Sequence, residues 1–247
     1  MSGYNQAMTE LSQNSQSDNF HTTRWSLVEQ AGNECERALE SLCSSYWYPL
    51  YAYASRRMDR DAAQDATQAF FAILLEKNYV ESADQTKGKF RAFLLTAFKR
   101  FLSNRRDHEQ ALKRGGGVRK LSLDFESAES GCSFQPADDM TPEKVFERQW
   151  VLTLLQNVIE RLKEYYTQKS PDALKRFELL KHHMLGEPVS DYATVSKELG
   201  MKPEAVRVHV HRMRQKYRDT LREEVASTVD DEADIDDEIR KLFEILN

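Results

Sequence analysis

The sequence lacks several features that would assign it to common protein classes. No apolar run approaches the ~20 residues that a membrane-spanning helix needs. The polar start of the chain has neither the basic residues nor the apolar stretch of a secretory signal. The three cysteines, Cys35, Cys43 and Cys132, show no metal-ligand spacing, and their odd number argues against a disulfide framework. We therefore expect a reduced cytoplasmic compartment, no metal or cofactor, and no insertion into a membrane.

Residues that would support catalysis are also missing. The sequence has no Gly-rich phosphate loop, and no activated nucleophile or pair of carboxylates stands out. His182 and His183 are adjacent and cannot share one face of a helix, and His209 and His211 are only two residues apart. These absences indicate that the protein is not an enzyme.

Charge is present but unevenly distributed. Residues 87–120 hold eleven basic and two acidic residues, a net charge of +9, whereas residues 223–247 hold ten acidic and two basic residues, a net charge of −8. The whole chain has a net charge of −5, but without that tail the rest has +3. The overall acidity therefore does not argue against a nucleic-acid partner.

The chain is organised around residues 62–106, which predict two helices. Residues 62–77 are amphipathic, with Asp65 and Gln68 three residues apart on a side away from the apolar stripe. The second helix, over residues 88–106, carries a core stripe of Phe90, Leu94, Ala97, Phe98 and Phe101. A different arc of it combines an aromatic ring with polar and basic residues: Lys89, Phe93, Thr96 and Arg100, with Lys99 and Arg106 at the margin. Such an arc can hold unstacked bases against a neutralised phosphate backbone; the plainer alternative is a solvated basic face.

The first half of the chain predicts a compact helical domain over residues 21–113, preceded by a polar, disordered leader over residues 1–20. Trp25 and Val28 suggest a short helix, and a longer apolar pattern follows, which Pro49 is expected to kink or break. The aromatic residues around Pro49 are predicted to pack in the core: Tyr46, Trp47, Tyr48, Tyr51 and Tyr53. Residues 114–140 begin with three glycines and then carry acids without any Lys or Arg. They predict a linker that is either a plain spacer or a functional segment.

A second helical domain is predicted over residues 141–222. Thr141-Pro142 and Ser170-Pro171 each supply an N-cap and a first-turn proline, and Gly186 ends the second helix. A short helix over residues 191–199, a tight turn at Gly200 and a basic helix from Pro203 to about Arg222 then follow. This order is the pattern of a helix-turn-helix.

The last helix of this pattern has a buried and a basic side. The predicted buried stripe is Val206, Val210, Met213, Tyr217 and Leu221. The residues left outside are Arg207, His211, Arg212, Arg214 and Arg218, with Lys202 and Lys216 adding charge. The first turns of such a helix would reach base edges and the later ones would clamp phosphates, unless it is an ordinary basic surface helix. Lys202 or Met201 occupies the N-cap position, which weakens the helix start by about 1 kcal/mol.

Residues 223–247 predict an acidic amphipathic extension. Apolar residues recur at helical spacing (Ile235, Ile239, Leu242, Phe243 and Leu246), so a helix is expected from about Asp234. This extension could fold back on either domain as a DNA-like competitor, or it could remain a solvated tail.

Taken in order, these motifs resemble the bacterial extracytoplasmic-function (ECF) sigma factors of RNA polymerase. The resemblance covers residues 38–222. It rests on YPLYAYASRRM, DAAQDATQAFF and GKFRAFLLTAFKRFLSNRR in what would be region 2, and on DYATVSKELGMKPEAVRVHVHRMRQKYRDTL in region 4. It implies an all-α fold in which a flexible acidic linker joins two small helical domains. It also implies a transcription initiation factor that binds core RNA polymerase, through the β′ clamp and the β subunit, and promoter DNA. An anti-sigma factor or the acidic tail would be a further partner.

The resemblance also implies roles for individual residues. Asp65 and Gln68 match the pair that grips the coiled-coil clamp of β′. The loop from residue 79 and the following helix match the part that melts the −10 element, with Lys87, Lys89, Phe90, Phe93, Lys99 and Arg100. The residues expected to read the −35 element are Lys202, Arg207, Val208, His211, Arg212, Arg214 and Arg218. The linker would thread toward the RNA exit path.

The sequence departs from the family pattern at three positions. Ala69 stands where an acid is usual, Phe93 where Trp is common, and Arg100 where Asn is usual. The clamp contact is therefore expected to be weaker or shifted, and the melting residues are less sharply assigned. A free-standing helix-turn-helix regulator is the alternative function. It would account for the second domain but leave the first unexplained, and a requirement for core polymerase distinguishes the two.

Overall fold

The computed structural model describes residues 36–76, 90–112, 140–186, 191–226, 229 and 232–246. Over these residues the chain is all-helical, without a strand, which confirms the predicted fold class. Its α-helices are α1 (Glu36–Ser55), α2 (Arg60–Glu76), α3 (Phe90–Leu112), α4 (Pro142–Lys169), α5 (Pro171–Leu185), α6 (Tyr192–Leu199), α7 (Pro203–Ala226) and α8 (Ile235–Leu246). None of them is long and apolar enough to cross a bilayer. The predicted leader, the helix near Trp25, the loop before α3 and linker residues 114–139 lie outside the described residues.

The aromatic residues of α1 form the centre of a first hydrophobic core. Tyr46, Trp47 and Tyr53 are buried, as predicted, while Tyr48 and Tyr51 are half-buried. Rings of α3 meet them edge to face, with centroid distances of 5.5 Å for Tyr46–Phe90 and 6.0 Å for Tyr53–Phe98. These contacts fix α3 against α1 by its apolar stripe.

Of the kink or break expected at Pro49, the break is wrong, because α1 continues through this residue as one helix. A proline inside a helix removes one backbone hydrogen bond and crowds the preceding turn. Here the neighbouring Trp47 and Leu50 are almost fully buried, at 1 % and 0 % exposed. Burial of these side chains offsets the local cost, which the sequence pattern alone did not weigh.

Helices α2 and α3 lie close to their predicted bounds. The Asp59 side chain accepts a hydrogen bond from the Ala62 backbone N–H at 2.9 Å, so α2 starts at Arg60, two residues earlier than expected. At its other end α3 continues to Leu112, six residues past the expected end. The buried positions of the two stripes are Ala66, Phe70, Leu74, Phe90, Leu94 and Phe98.

A second hydrophobic core lies among α5, α6, α7 and the C-terminal half of α4. Its buried members are Leu162, Phe177, Leu180, Met184, Val195, Val206, Val210 and Met213. The predicted stripe of α7 is confirmed, with Tyr217 half-buried at the junction of the two cores. The helix-turn-helix is thus held by its own apolar centre.

The helix ends of this half follow the sequence signals. Thr141 and Ser170 accept hydrogen bonds from the backbone N–H groups of Lys144 and Ala173, at 3.3 and 3.1 Å. Gly186 and Gly200 end α5 and α6 in the left-handed conformation, with φ of 88° and 62°. Helix α7 starts after Lys202, as expected, but ends at Ala226, four residues beyond the predicted end.

Gly200→Ala is expected to lower the free energy of unfolding by about 1–2 kcal/mol. An L-residue in the left-handed region costs roughly this much, and an added Cβ would meet no atom within 4 Å, so no clash adds to it. Urea denaturation followed by circular dichroism measures the change. Glu198→Ala, at an exposed position of α6, is the control and should change stability by less than about 0.5 kcal/mol. Equal stability of the two variants would contradict the turn geometry.

Helix α4 connects the two cores. It is 28 residues long, about 42 Å at helical rise. Five residues of α4 between positions 146 and 158 belong to the first core (Phe146, Trp150, Val151, Leu154 and Val158), whereas Leu162 belongs to the second. Helix α4 begins just after the predicted domain boundary at residues 140–141 but contributes side chains to both cores. The boundary therefore stays a prediction.

The C-terminal extension forms helix α8, preceded by a 3₁₀ turn at Glu232–Asp234, and its start at Ile235 agrees with the predicted start. Ile235 and Leu242 are buried in the first core, and Ile239, Ile245 and Leu246 pack against it. Among the described residues, the extension is therefore a packed helix rather than a solvated tail.

Candidate polymerase and nucleic-acid interfaces

Helix α2 presents a polar side opposite its packed stripe. Asp65 is exposed and Gln68 is half-buried, while Ala66 and Phe70 beside them are buried at 1 % and 5 % exposed. Inside the helix, the Thr67 hydroxyl donates to the Ala63 carbonyl at 2.8 Å. The rigid stripe therefore fixes the direction in which Asp65 and Gln68 project from the first core.

The aromatic-basic arc of α3 is only partly exposed. Phe90 is 4 % exposed and belongs to the core, so in this conformation its ring supports α3 and does not face solvent. Phe93 is half-buried, with its ring centroid 6.0 Å from that of Phe90. Thr96 and Arg100 are exposed. Lys87 and Lys89 lie outside the described residues, so this surface consists here of Phe93, Thr96 and Arg100.

Lys99 faces a different environment from Arg100. Its Nζ lies 2.6 Å from Oε1 of Glu143, at the start of α4. The hydrogen bond from Lys99 lowers the pKa of the Glu143 carboxyl, and the charges of Lys99 and Arg57 lower it further. Lys99 is thus an anion-binding side chain that holds a carboxylate from another part of the chain.

A basic cleft of about 350 Å³ surrounds this lysine. Its polar lining consists of Arg57, Lys99, Ser103 and Arg105, and its apolar lining of Met58, Ala62, Ala66 and Leu102. The Arg57 guanidinium also donates to the Tyr53 hydroxyl. Sequence reasoning missed Arg57 and Arg105, although the net charge of residues 87–120 had indicated a basic surface nearby.

The recognition helix of the helix-turn-helix exposes most of its predicted residues. Helix α6 ends at Gly200, and the Met201 N–H donates to the Ser196 carbonyl at 2.9 Å, which closes the turn. Lys202 just before α7 is exposed, and so are Arg207, Val208, His211 and Arg212 in its first turns, together with Pro203 and Glu204. Val208 is 49 % exposed, unusual for a large apolar side chain.

The N-terminal turns of α7 also carry local supports. The Arg207 guanidinium lies 5.8 Å from the centre of the Tyr192 ring of α6, within reach of a cation–π interaction. Burial lowers the pKa of His209, and the charges of Arg176 and Arg212 lower it further, so this imidazole is neutral at pH 7. Arg207 and Arg212 therefore supply the positive charge at this end, not His209.

Two of the predicted DNA-reading arginines are engaged within the protein. Arg214 donates from Nε to the Met184 carbonyl at 3.1 Å and from a terminal nitrogen to the His183 carbonyl at 2.7 Å. It thereby satisfies carbonyls at the C-terminus of α5 and positions α7 against that helix. Arg218 donates to the Gln215 side chain at 2.6 Å and remains exposed. Arg214 is exposed as well as bonded to α5, and its predicted contact with DNA stays a prediction.

Arg91 of α3 is held by two partners, and sequence reasoning assigned it no role. Its guanidinium lies 4.3 Å from the centre of the Trp150 ring and 2.8 Å from Oε1 of Glu238. These partners come from α4 and α8, so the arrangement joins three separate parts of the chain. In the sequence, only the acidic character of residues 223–247 indicated that they could contact a basic residue such as Arg91.

Comparison with known proteins supplies the family. Residues 22–223 match the family model described as ECF sigma factor. Comparisons with curated proteins and with solved structures found no match. The matched residues include α1 to α6 and nearly all of α7, and the all-helical architecture agrees with helical regions 2 and 4. The chain therefore belongs to the ECF sigma factor family, whose members are non-enzymatic transcription initiation factors that direct RNA polymerase to promoter DNA.

Proposed function

We propose that this chain binds core RNA polymerase through α2, reads a −35 element with the first turns of α7 and opens a −10 element with α3. The observation that carries the proposal is the two-sided character of α7. Val206, Val210 and Met213 are buried in the second core, while Arg207 and Arg212 are exposed on the other side. A helix anchored in this way can enter the major groove without losing its own packing.

The exposed residues of α7 fit two kinds of DNA contact. Arg207 lies near the start of the helix, where a guanidinium can bind the O6 and N7 atoms of guanine, and Val208 can contact a thymine methyl group. His211 and Arg212 lie one turn further along, where phosphate contacts fix the helix in the groove. Since Arg214 is engaged with α5, we assign it to positioning of α7 rather than to DNA reading.

For the −10 element, the support is the exposed part of α3. Arg100 and Thr96 are exposed beside the half-buried ring of Phe93. Phosphates would bind the guanidinium, and an unstacked base would stack on the accessible part of the ring. Phe90 lies in the core under this surface and would act by holding Phe93 in position.

For the polymerase contact, the support is the exposed polar side of α2. Asp65 and Gln68 are three residues apart on one side of a helix whose other side is packed. Neither is needed to fill the core, so both are available to a partner. Ala69 next to them is half-buried and adds no charge, which leaves Asp65 as the acidic group of the pair.

The Asp65→Ala, Gln68→Ala double variant is expected to bind bacterial core RNA polymerase at least about tenfold less tightly than the wild type, because it loses a charged and a polar contact at the centre of the interface. The measurement is a titration of the labelled chain with core enzyme. Asp61→Ala with Gln64→Ala makes the same chemical change one turn earlier on α2 and serves as the matched control, with a smaller expected loss.

The outcomes of this titration separate the possible functions. A selective loss in the Asp65 and Gln68 variant supports the proposed contact. Equal binding by all three proteins would keep the family function and reject this contact. DNA binding by the wild type without any affinity for core polymerase would instead support the free-standing helix-turn-helix regulator.

A further inference from the structure

Helix α8 lies beyond the residues that match the family model, which end at 223. It is nevertheless integrated into the first core, where Ile235 and Leu242 are 4 % and 3 % exposed. Its neighbours are α4 and the C-terminal part of α7. Through Glu238 it also contacts Arg91 of α3, so the extension joins the second half of the chain to the first.

Among the ion pairs described for α8, the one between Glu238 and Arg91 is the most buried. The two side chains are 3 % and 13 % exposed, with 2.8 Å between Oε1 and the guanidinium nitrogen. The Trp150 ring covers the guanidinium on one face at 4.3 Å. A charge this deeply buried is tolerated only beside its counter-charge, so each member of the pair requires the other.

Other acids reinforce this closed arrangement. Asp236 of α8 pairs with Arg222 of α7, although both are exposed and such a pair contributes little by itself. At the opposite end of the interface Glu143 of α4 holds Lys99 of α3. Two cations of α3, Arg91 and Lys99, are thus bound to carboxylates from outside the first helical group, which comprises α1, α2 and α3.

The interface also contains a group that favours its separation. Gln149 of α4 is 0 % exposed, and neither its Oε1 nor its Nε2 has a hydrogen-bond partner among the described residues. A buried amide without partners has lost its hydration without compensation. The amide of Gln149 would be hydrated again when α4 separates from the first helical group. The packed arrangement of α4 on that group therefore opens more easily than its buried apolar side chains alone would imply.

We propose that α8 is a built-in anionic ligand of α3, which locks α4 and α7 against the first helical group and must be displaced before α3 and α7 can reach a −10 and a −35 element of the same promoter. The inference rests on the proposed function of α3 and adds its regulation. The Glu238 carboxylate is bound to Arg91 of α3, and the buried Ile235 and Leu242 hold it there. Release of α8 frees Arg91 and removes one of the links between the two halves of the chain.

The test compares Glu238→Gln with Glu244→Gln in the full-length chain. The first leaves Arg91 without its counter-charge. The second removes the same charge from an exposed position of α8 and is the matched control. The assay uses core RNA polymerase and a promoter selected from random DNA. Glu238→Gln is expected to form the opened complex with about tenfold higher apparent affinity. When most chains are closed, the apparent affinity is lowered by the ratio of closed to open chains, and the variant lowers that ratio. Glu244→Gln should match the wild type.

Hydrogen–deuterium exchange of the wild type provides a second measurement that does not depend on any variant. The backbone amides of α8 are expected to be protected in the free chain and to exchange faster once core polymerase and promoter DNA are bound. Unchanged protection of α8, or equal affinities of wild type and Glu238→Gln, would overturn the lock but leave the proposed function standing. A failure of all three proteins to bind core polymerase would reject the proposed function and the lock together.

Discussion

A chain that carries Arg207→Ala is expected to bring RNA polymerase to its promoter with an affinity about 10- to 100-fold below that of the wild type, a loss of about 1–3 kcal/mol. Arg207 is exposed near the start of α7, and the buried Val206 and Val210 fix the helix beneath it. The guanidinium also lies against the Tyr192 ring, which restricts its orientation before DNA binds. A side chain positioned in this way loses less conformational freedom on binding, so its removal is costly.

The dependence of this loss on sequence and salt identifies the kind of contact. If Arg207 reads a base, the variant will lose discrimination at one position of the −35 element and keep the salt dependence of binding. Arg212→Ala, one turn further on, is expected to weaken binding to all sequences and to reduce the salt slope by about 1. Fluorescence anisotropy of the holoenzyme on matched and single-substitution promoters at several salt concentrations measures both effects.

Lys163→Ala is the control for charge alone. Lys163 is exposed on α4 and belongs to neither α6 nor α7, and its removal changes the net charge by the same amount. An equal loss of affinity in Lys163→Ala and Arg207→Ala would mean that overall charge governs binding, and the assignment of α7 as the reading helix would be wrong.

Local signals predicted most of the fold. The N-caps at Thr141 and Ser170 and the left-handed glycines Gly186 and Gly200 lie where the sequence indicated. The apolar stripe of α7 is also buried as expected. These features depend on interactions between residues within one or two turns of each other. Short segments of sequence are therefore enough to predict them.

Contacts between distant segments could not be predicted in this way. Arg91 and Glu238 are 147 positions apart, and no periodicity within α3 or α8 relates them. Arg214 has the spacing of a DNA-facing residue, yet it binds carbonyls at the end of α5. Phe90 was predicted as a core residue from the apolar stripe of α3 and as a DNA-binding residue from the family resemblance. Its packing against Tyr46 shows that it is buried in this conformation. Tertiary packing therefore decided these contacts.

Trp150→Ala is expected to lower the free energy of unfolding by about 3–5 kcal/mol, a larger loss of stability than that of Gly200→Ala. Trp150 is 2 % exposed in the first core, and truncation of a large buried aromatic residue removes its burial and leaves a cavity. Arg91 would also lose the ring beside its guanidinium. Trp150→Phe keeps an aromatic face and should cost less than half as much. Urea denaturation followed by circular dichroism compares the two variants.

The helices that lose protection from hydrogen exchange in Trp150→Ala show whether the chain has two domains. Trp150 belongs to the half of α4 that packs in the first core, whereas Leu162 and Phe177 belong to the second. If the boundary predicted at residues 140–141 separates independent units, the helix-turn-helix amides of Trp150→Ala will lose protection from hydrogen exchange together with the N-terminal half of α4. If the cores are the cooperative units, α5, α6 and the first turns of α7 will keep their protection while α1, α3 and α8 lose theirs. We expect the second result, because α4 joins the cores and its N-terminal half can separate from the first helical group without disturbing the packing around Leu162.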